Sequence, residues 1–146
     1  MKRIVRLINL YPPYVVGGNE MLNRDITEAL QIRGYDVHVV TAHGTALDEL
    51  AYVHQAFNYN LDQEMEDLFR GGRQLSLVGH FRHHVFDPVT YRNVRRIVRD
   101  LQPDLVVAGN LYMASAAPLL AVRDLPCPIV AEVADKWLLF NLVDWS

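Results

Sequence analysis

Short apolar runs alternate with amphipathic segments along the chain. The first run, residues 4–8, is apolar and β-branched apart from Arg6, as is typical of a strand buried in a parallel sheet. Residues 37–41 form a second run of this kind. Between the two runs, four apolar residues recur at helical spacing: Leu22, Ile26, Ala29 and Leu30. Gly34 follows them where a left-handed helix cap belongs, so the first forty or so residues predict a strand, a helix and a strand.

The second half of the chain repeats this order. Asp87 and Pro88 supply an N-cap and a first-turn proline for a helix. Four apolar residues follow at the spacing i, i+3, i+4 and i+7: Val94, Ile97, Val98 and Leu101. Residues 103–109 predict the next strand, residues 114–122 a helix of small side chains, and residues 128–133 a further strand.

The segment between the two halves is less regular. Residues 51–59 predict a strand, and residues 61–72 predict a short acidic helix that two glycines terminate. His80, His83 and His84 suggest a metal site. They stand in a weakly patterned segment without a paired cysteine or carboxylate nearby, so a solvated loop without a metal is the better prediction.

Strands that alternate with helices predict an α/β fold, here a Rossmann-like, doubly wound, mostly parallel sheet with helices on both faces. With 146 residues, 51% of them apolar, the chain is expected to form one domain, residues 1–146. If the winding reverses at the first strand, the switch point lies between that strand and the strand ending at Gly109. Ligands bind beside such a switch at the carboxyl ends of the strands, which selects residues 9–18 and 109–113.

Composition narrows the range of partners. The formal net charge is −3 and the sequence pI is about 6.0, so a small-molecule or protein partner is favoured and nucleic acid is not. The single cysteine, Cys127, excludes a disulfide framework and fits a reducing cytoplasm. No apolar run reaches the roughly 18 residues that a membrane-spanning helix needs, so we expect a soluble protein.

The loop after the first strand, "LYPPYVVGGNE", carries the clearest candidate for chemistry. Gly17 and Gly18 stand just before the first helix, where backbone N–H groups and the helix dipole would receive a phosphate or a carboxylate. The glycines would equally serve a tight turn without any ligand. Their spacing fits neither G-x-G-x-x-G nor a P-loop, and the second strand does not end in an acidic residue, so a dinucleotide is disfavoured.

Four further residues are candidates for the site. Glu20 is in the first turn of the helix, where the dipole favours a carboxylate whatever its role. Asn110 and Tyr112 follow the strand ending at residue 109 and either serve a hydroxylated ligand or are ordinary loop residues. Asp135 follows the last strand and is either a site residue or the N-cap of a final helix. No Ser-His-Asp or Cys-His arrangement is visible in the sequence.

Two surfaces are left without a partner. Four arginines lie opposite the apolar stripe of the helix after Pro88 and form either a hydrated face or one that approaches an anionic lipid surface: Arg92, Arg95, Arg96 and Arg99. The end of the chain is strongly apolar, so either it self-associates or further structure covers it. Its apolar residues are Trp137, Leu138, Leu139, Phe140, Leu142, Val143 and Trp145.

Taken together, these segments make the chain resemble the N-terminal domain of GT-B glycosyltransferases, in particular the large retaining group called family 4. The likeness rests on "NLYPPYVVGGNE", "LNRDITEALQIRGYDVHVVT", "VRRIVRDLQPDLVVAGN" and "PCPIVAEVADKWLL". These segments span nearly the whole chain in the expected order, and residues 42–84 match least.

The resemblance implies two Rossmann-like domains that face each other across a cleft. This domain would shape the site of a sugar or lipid-linked acceptor, and the other would hold a nucleotide-sugar donor whose diphosphate approaches Gly17 and Gly18. The sugar would be transferred with retained anomeric configuration and without a bound metal. Asn110, Tyr112 and Asp135 would line the acceptor or sugar side of the cleft. We expect a cytoplasmic enzyme, with association at the inner face of the membrane as a further option.

The chain departs from the family pattern in two ways. Many members have a His-Asp pair after the last strand, whereas here Ala134 precedes Asp135, which leaves Asp135 as the catalytic match. The donor domain would also be missing, so we expect no cofactor bound by this chain alone and no transferase activity from it. Two rivals remain: a non-catalytic α/β module that dimerises through residues 137–145, and a flavodoxin-like domain that binds phosphate or a nucleotide.

Overall fold

The computed structural model of the chain describes residues 1–72 and 76–133. The strands within these residues are β1 Arg3–Leu7, β2 Asp36–His43, β3 Val53–Asn60, β4 Leu105–Ala108 and β5 Ile129–Ala131. The α-helices there are α1 Gly18–Ile32, α2 Leu61–Phe69, α3 Leu77–His84, α4 Pro88–Leu101 and α5 Ala117–Val122. A short 3-10 helix, Thr45–Leu47, lies between β2 and β3.

The described strands form one parallel sheet in the order β3-β2-β1-β4-β5. In the central register, Val5 of β1 pairs with His38 of β2 on one side and with Val106 of β4 on the other. The side chains of β1 from Ile4 to Leu7 are all buried, so both faces of the central strand are covered. The winding reverses between β1 and β4, which confirms the predicted Rossmann-like fold and its switch point.

The ends of the two long helices follow from local chemistry. The Asp87 carboxylate accepts hydrogen bonds from the N–H groups of Val89 and Thr90 and so caps α4, with Pro88 in its first turn as predicted. Gly34 follows the end of α1 with φ +85°, the left-handed conformation that its position predicts.

The buried face of α1 differs from the predicted one. Leu22 is 47% exposed, and the buried side chains are those of Glu20, Asn23 and Thr27. The physical reason is Arg6 of β1, which is 1% exposed and needs hydrogen-bond acceptors from the helix above it. The polar stripe of α1 therefore faces the sheet, and part of its apolar stripe faces solvent.

The middle segment contains more helix than its sequence predicts. The strand and the acidic helix predicted there correspond to β3 and α2, and Gly71 and Gly72 both have positive φ after the helix. The loop predicted over residues 80–84 is wrong, because these residues belong to α3. The Ser76 hydroxyl accepts from the N–H of Gly79 and caps that helix. In a helix His80 and His84 lie one turn apart, and their rings stack at 5.8 Å between centroids.

The core lies around β1, β2 and β4 and extends to α4 through Val94 and Val98. No helix among the described residues is long and apolar enough to cross a bilayer. The predictions for Asp135 and for the apolar segment 137–145 concern residues outside the described ranges.

Candidate functional site

The two loops selected by the switch point lie side by side. The backbone N–H of Asn9, just after β1, donates to the carbonyl oxygen of Asn110 at 2.8 Å. The N–H of Gly109 donates to the carbonyl oxygen of Leu7 at 2.9 Å. These bonds continue the pairing of β1 and β4 past the strand ends, so the loops 9–18 and 109–113 share one edge of the sheet.

A cavity of about 570 Å³ opens at this edge. The start of α1 and the loop after β4 border it, together with residues of α2 and α3. Five predicted site residues line it: Gly17, Gly18, Glu20, Asn110 and Tyr112. The structure thus brings together every predicted site residue that it describes, whereas Asp135 falls outside the described residues.

Gly17 and Gly18 are not required by the fold itself. Gly17 has φ −154° and Gly18 has no positive φ, so other residues would adopt both conformations. Apart from the adjacent residues and the backbone of the helix itself, no atom of the described residues lies within 4 Å of the position that a Cβ would take at either residue. Neither backbone strain nor packing therefore explains the pair, and the space in front of it is open to the cavity.

Glu20 already occupies part of the helix N-terminus. Its Oε2 accepts hydrogen bonds from the N–H groups of Gly17 at 2.8 Å and Val16 at 3.2 Å, which is the half of a capping box that a first-turn glutamate supplies; Gly17 has no side chain for the other half. The side chain is 5% exposed. The next N–H groups of the first turn, those of Gly18 and Asn19, have no acceptor within the helix, as in any α-helix. Two N–H groups at this end of the helix are therefore already bonded to a carboxylate of the chain itself.

The loop after β4 is held by its own turn. Asn110 Oδ1 accepts a hydrogen bond from the N–H of Tyr112 at 2.8 Å, which is an Asx turn. Met113 and Ser115 then adopt positive φ, +72° and +59°, a conformation that non-glycine residues rarely adopt. The turn leaves the Tyr112 ring half exposed at the edge of the cavity.

Asn9 is one of the lining residues that the sequence did not single out as a site residue. Asn9 is 4% exposed, and its Oδ1 has no hydrogen-bond partner among the described residues. Its carbonyl oxygen accepts from the hydroxyls of Tyr59 at 2.9 Å and Thr41 at 3.3 Å. Burial raises the pKa of Tyr59, so that hydroxyl stays protonated and keeps donating. The only sequence signal was the place of Asn9, the first polar residue behind a buried strand.

A second, smaller cavity of about 320 Å³ lies beside α3. Most of its lining is polar and includes Asn58, Ser76, Arg82 and Asp87. His83 borders both cavities. Across residues 1–72 and 76–133, no group of three or more His, Cys, Asp or Glu side chains is arranged to hold a metal ion.

The chain is thus a Rossmann-like domain with a cavity at the switch point of its sheet. The model of Glycosyltransferase Family 4 matches residues 16–137, which is most of the chain, so the chain belongs to that family. The predicted resemblance to an N-terminal GT-B glycosyltransferase domain is confirmed.

Solved structures support the fold. The chain is similar to the glycosyltransferase SsfS6 of Streptomyces sp. SF2575, with 16% identity, a TM-score of 0.50, and coverage of 90% of this chain and 39% of that one. A structure of SsfS6 complexed with thymidine diphosphate aligns with 14% identity, a TM-score of 0.51, and coverage of 90% and 38%. The chain thus spans about two fifths of the length of these proteins. No curated protein matches it.

Proposed function

We propose that the chain is the acceptor-side domain of a retaining glycosyltransferase that uses a nucleotide-sugar. The proposal rests on one observation: the part of the chain that matches the family model also supplies residues that line the cavity at the switch point. These residues are Gly17, Gly18, Asn110 and Tyr112. The structural neighbour SsfS6 has been solved with thymidine diphosphate, which is the nucleoside diphosphate that remains when a thymidine diphosphate sugar loses its sugar.

In this proposal the Gly17-Gly18 edge approaches the donor diphosphate. The open space in front of both glycines and the first-turn N–H groups suit a close backbone approach to an anion. Glu20 holds two further N–H groups, so the loop has few donors left for a phosphate. A second domain would therefore hold most of the donor, and this chain alone would be inactive.

In this proposal the loop after β4 forms the acceptor side of the site. Asn110 and Tyr112 border the cavity there. Asp135, which follows β5 in the sequence and is outside the described residues, stays our candidate for the catalytic residue. The transferred sugar keeps its anomeric configuration under this proposal.

The test uses the product of the complete reading frame that contains these 146 residues. It is incubated with a panel of nucleotide-sugars and hydroxylated acceptors, and NMR of the glycoside reports transfer and anomeric configuration. We expect transfer with retention, and a loss of kcat/KM of about tenfold or more in Gly18→Ala, because a methyl group would hold the diphosphate off the backbone.

The stability of Gly18→Ala provides the control, since the added methyl group would meet no side chain of residues 1–72 or 76–133 beyond its chain neighbours. Its urea midpoint should match that of the parent. An inverted product would refute the retaining mechanism. Full activity of the Gly18→Ala variant would show that this loop does not contact the donor.

A further inference from the structure

We propose that the cavity of about 320 Å³ beside α3 holds a hydroxylated ring, such as one sugar unit, that belongs to the acceptor. The inference rests on the proposed function and names the chemical class of its acceptor. Three observations carry it: the residues that the two cavities share, the polar side chains around the smaller cavity that the fold does not use, and the aromatic residues that border it.

The smaller cavity adjoins the larger one on the acceptor side. His83 and Met113 line both cavities, and Ala114, which follows Met113, lines the smaller one. The loop after β4, which the proposed function assigns to the acceptor, therefore borders both. Gly17 and Gly18 line the larger cavity and not the smaller one, so a ligand in the smaller cavity leaves the place of the donor diphosphate open.

Several polar groups around the smaller cavity are not used by the fold. Asn58 donates to Asp87 through Nδ2, and Asn60 accepts from the N–H of Gln63 through Oδ1. The other amide atoms, Asn58 Oδ1 and Asn60 Nδ2, form no hydrogen bond among the described residues. The side chains of Gln63 and Arg82 form none there either. These four lining residues are exposed, so their side chains are accessible to a ligand.

These groups suit a hydroxylated ligand better than an anion. The amide oxygens of Asn58 and Gln63 accept hydrogen bonds, whereas the guanidinium of Arg82 and the amide nitrogens donate them. A hydroxyl group both donates and accepts, so it pairs with either kind, whereas a deprotonated phosphate oxygen only accepts. Asp87 also borders this cavity, and its carboxylate would repel an anion. An apolar ligand would leave the amides without partners.

Two aromatic residues border the same cavity. They are Tyr59 and His83, whose ring centroids lie 5.9 Å apart with the planes tilted by 39°. A sugar ring carries C–H groups on its faces and hydroxyls at its edge, so it can cover aromatic surface while its hydroxyls pair with the amides. The volume of about 320 Å³ is near the lower end of the range for ligand pockets, roughly 300–1,000 Å³, which suits one such ring.

The test is an NMR titration of the isotope-labelled 146-residue chain with three probes. The probes are methyl glucoside, 2-methoxytetrahydropyran, which has the same ring without hydroxyl groups, and inorganic phosphate. We expect methyl glucoside to bind about tenfold tighter than 2-methoxytetrahydropyran, because only its hydroxyls pair with the amides, and tighter than phosphate. The side-chain amide signals of Asn58, Asn60 and Gln63 should shift, whereas the backbone signals of Gly17 and Gly18 should not.

Two pairs of variants locate the binding. Arg82→Met and Gln63→Met remove polar groups from the cavity and keep unbranched, helix-forming side chains, so each should weaken the binding of methyl glucoside severalfold. Arg123→Met and Gln31→Met are the matched controls, because neither residue lines either cavity, and they should leave the affinity unchanged. No side chain of α3 is buried, so Arg82→Met should keep the fold. If one variant does not fold, the other pair still locates the ligand.

Three results would overturn the inference. The first is that methyl glucoside does not bind, or binds no tighter than 2-methoxytetrahydropyran. The second is that phosphate binds tighter than methyl glucoside. The third is that Arg82→Met and Gln63→Met have the same effects as their controls, since the ligand would then lie outside this cavity.

The transfer assay separates this inference from the proposed function. In the product of the complete reading frame, Arg82→Met should raise KM for a sugar acceptor severalfold and leave kcat unchanged, because Arg82 contributes to binding and not to the reacting atoms. Transfer only to acceptors without a hydroxylated ring would refute this inference and leave the proposed function intact. Binding of methyl glucoside in this cavity without any transfer activity would refute the proposed function and leave the binding site.

Discussion

At the scale of single residues, Gly44 and Gly17 illustrate two different uses of glycine. A Cβ on Gly44 would lie 2.5 Å from Cε2 of the Tyr14 ring, whose hydroxyl bonds to Asp62 and to the N–H of Ala46. Gly44→Ala should therefore destabilise the fold by about 1–3 kcal/mol through overpacking.

Gly17→Ala is the matched control for that prediction. It adds a methyl group to open space at an ordinary backbone conformation, so stability should change by at most about 0.5 kcal/mol. Urea unfolding of both variants gives the comparison. Equal losses of unfolding free energy would mean that packing requires a glycine at position 17, and would weaken the assignment of Gly17 to a ligand.

Arg6 is the residue on which the position of α1 depends. Its guanidinium donates to the Asn23 carbonyl at 2.6 Å, to Asn23 Oδ1 at 2.7 Å, to Thr27 Oγ1 at 3.0 Å and to Glu132 at 2.8 Å. Burial lowers the pKa of Arg6 and Glu132 opposes this, but an arginine stays charged.

Arg6→Met should cost about 3 kcal/mol of unfolding free energy, because it leaves buried acceptors without donors. Arg99→Met, on the exposed side of α4, should change stability by at most about 0.5 kcal/mol. Chemical denaturation monitored by circular dichroism measures both. A small effect of Arg6→Met would show that water replaces the guanidinium.

His54 makes stability depend on pH. Its Nε2 lies 3.0 Å from His38 Nδ1, and His38 in turn contacts Asp36. Burial, with the nearby charge of His38, lowers the pKa of His54 below its unfolded value near 6.5. The unfolded chain then binds more protons in this range, so the contribution is fully present above pH of about 6.5 and is lost as the pH falls through the folded-state pKa.

His54→Gln should accordingly flatten the slope of stability against pH between about 7.5 and 5. Urea midpoints of the parent and the variant across this range give the slopes. The same slope in both proteins would assign the pH dependence to other groups.

At the scale of elements, the helices show where a sequence pattern suffices. The start of α4 was predicted from Asp87 and Pro88, because a cap is local chemistry that the sequence contains in full. The buried face of α1 was not predicted from its sequence. The orientation of this helix depends on Arg6, which belongs to β1 and not to the helix. The helix α3 was missed since Gly79 and the histidines have weak helix propensity. The loop prediction gave no weight to the Ser76 cap.

Asp87 offers a test at this scale. Its carboxylate caps α4 and also accepts from Asn58 Nδ2 at 3.0 Å, which ties the helix to β3. Asp87→Ala should cost about 1–2 kcal/mol, whereas Asp87→Asn keeps a capping oxygen and should cost less. Thermal unfolding of the two variants provides the measurement. Equal losses would assign the effect to the charge instead of the cap.

At the scale of the whole molecule, the fold class followed from the alternation of strands and helices, and the switch point followed from the added assumption that the winding reverses at the first strand. The strand-end loops of the site followed for the same reason. The apolar side chains that line the cavity could not be predicted, since they come from α2 and from loops that meet only in the folded chain. Asn9 could not be singled out either, because its unpaired oxygen is a property of three-dimensional packing.

Under the proposed function, a second domain holds most of the donor, so this chain alone should bind a nucleoside diphosphate weakly. The described lining of the cavity carries Glu20, Glu64 and Asp67 without an Arg or Lys, and Glu20 itself holds the N–H groups of Val16 and Gly17. The 146-residue chain should therefore bind thymidine diphosphate only weakly, with a Kd of about 1 mM or higher by NMR titration.

Glu20→Gln should strengthen this binding severalfold, because it removes a negative charge from the helix N-terminus and keeps an oxygen for the capping bonds. Glu28→Gln is the control: it removes the same charge from an exposed position two turns further along α1 and should have little effect. Micromolar binding by the parent chain would mean that this domain holds the diphosphate by itself. The site would then be that of a self-sufficient phosphate-binding protein, and the need for a second donor-binding domain would disappear.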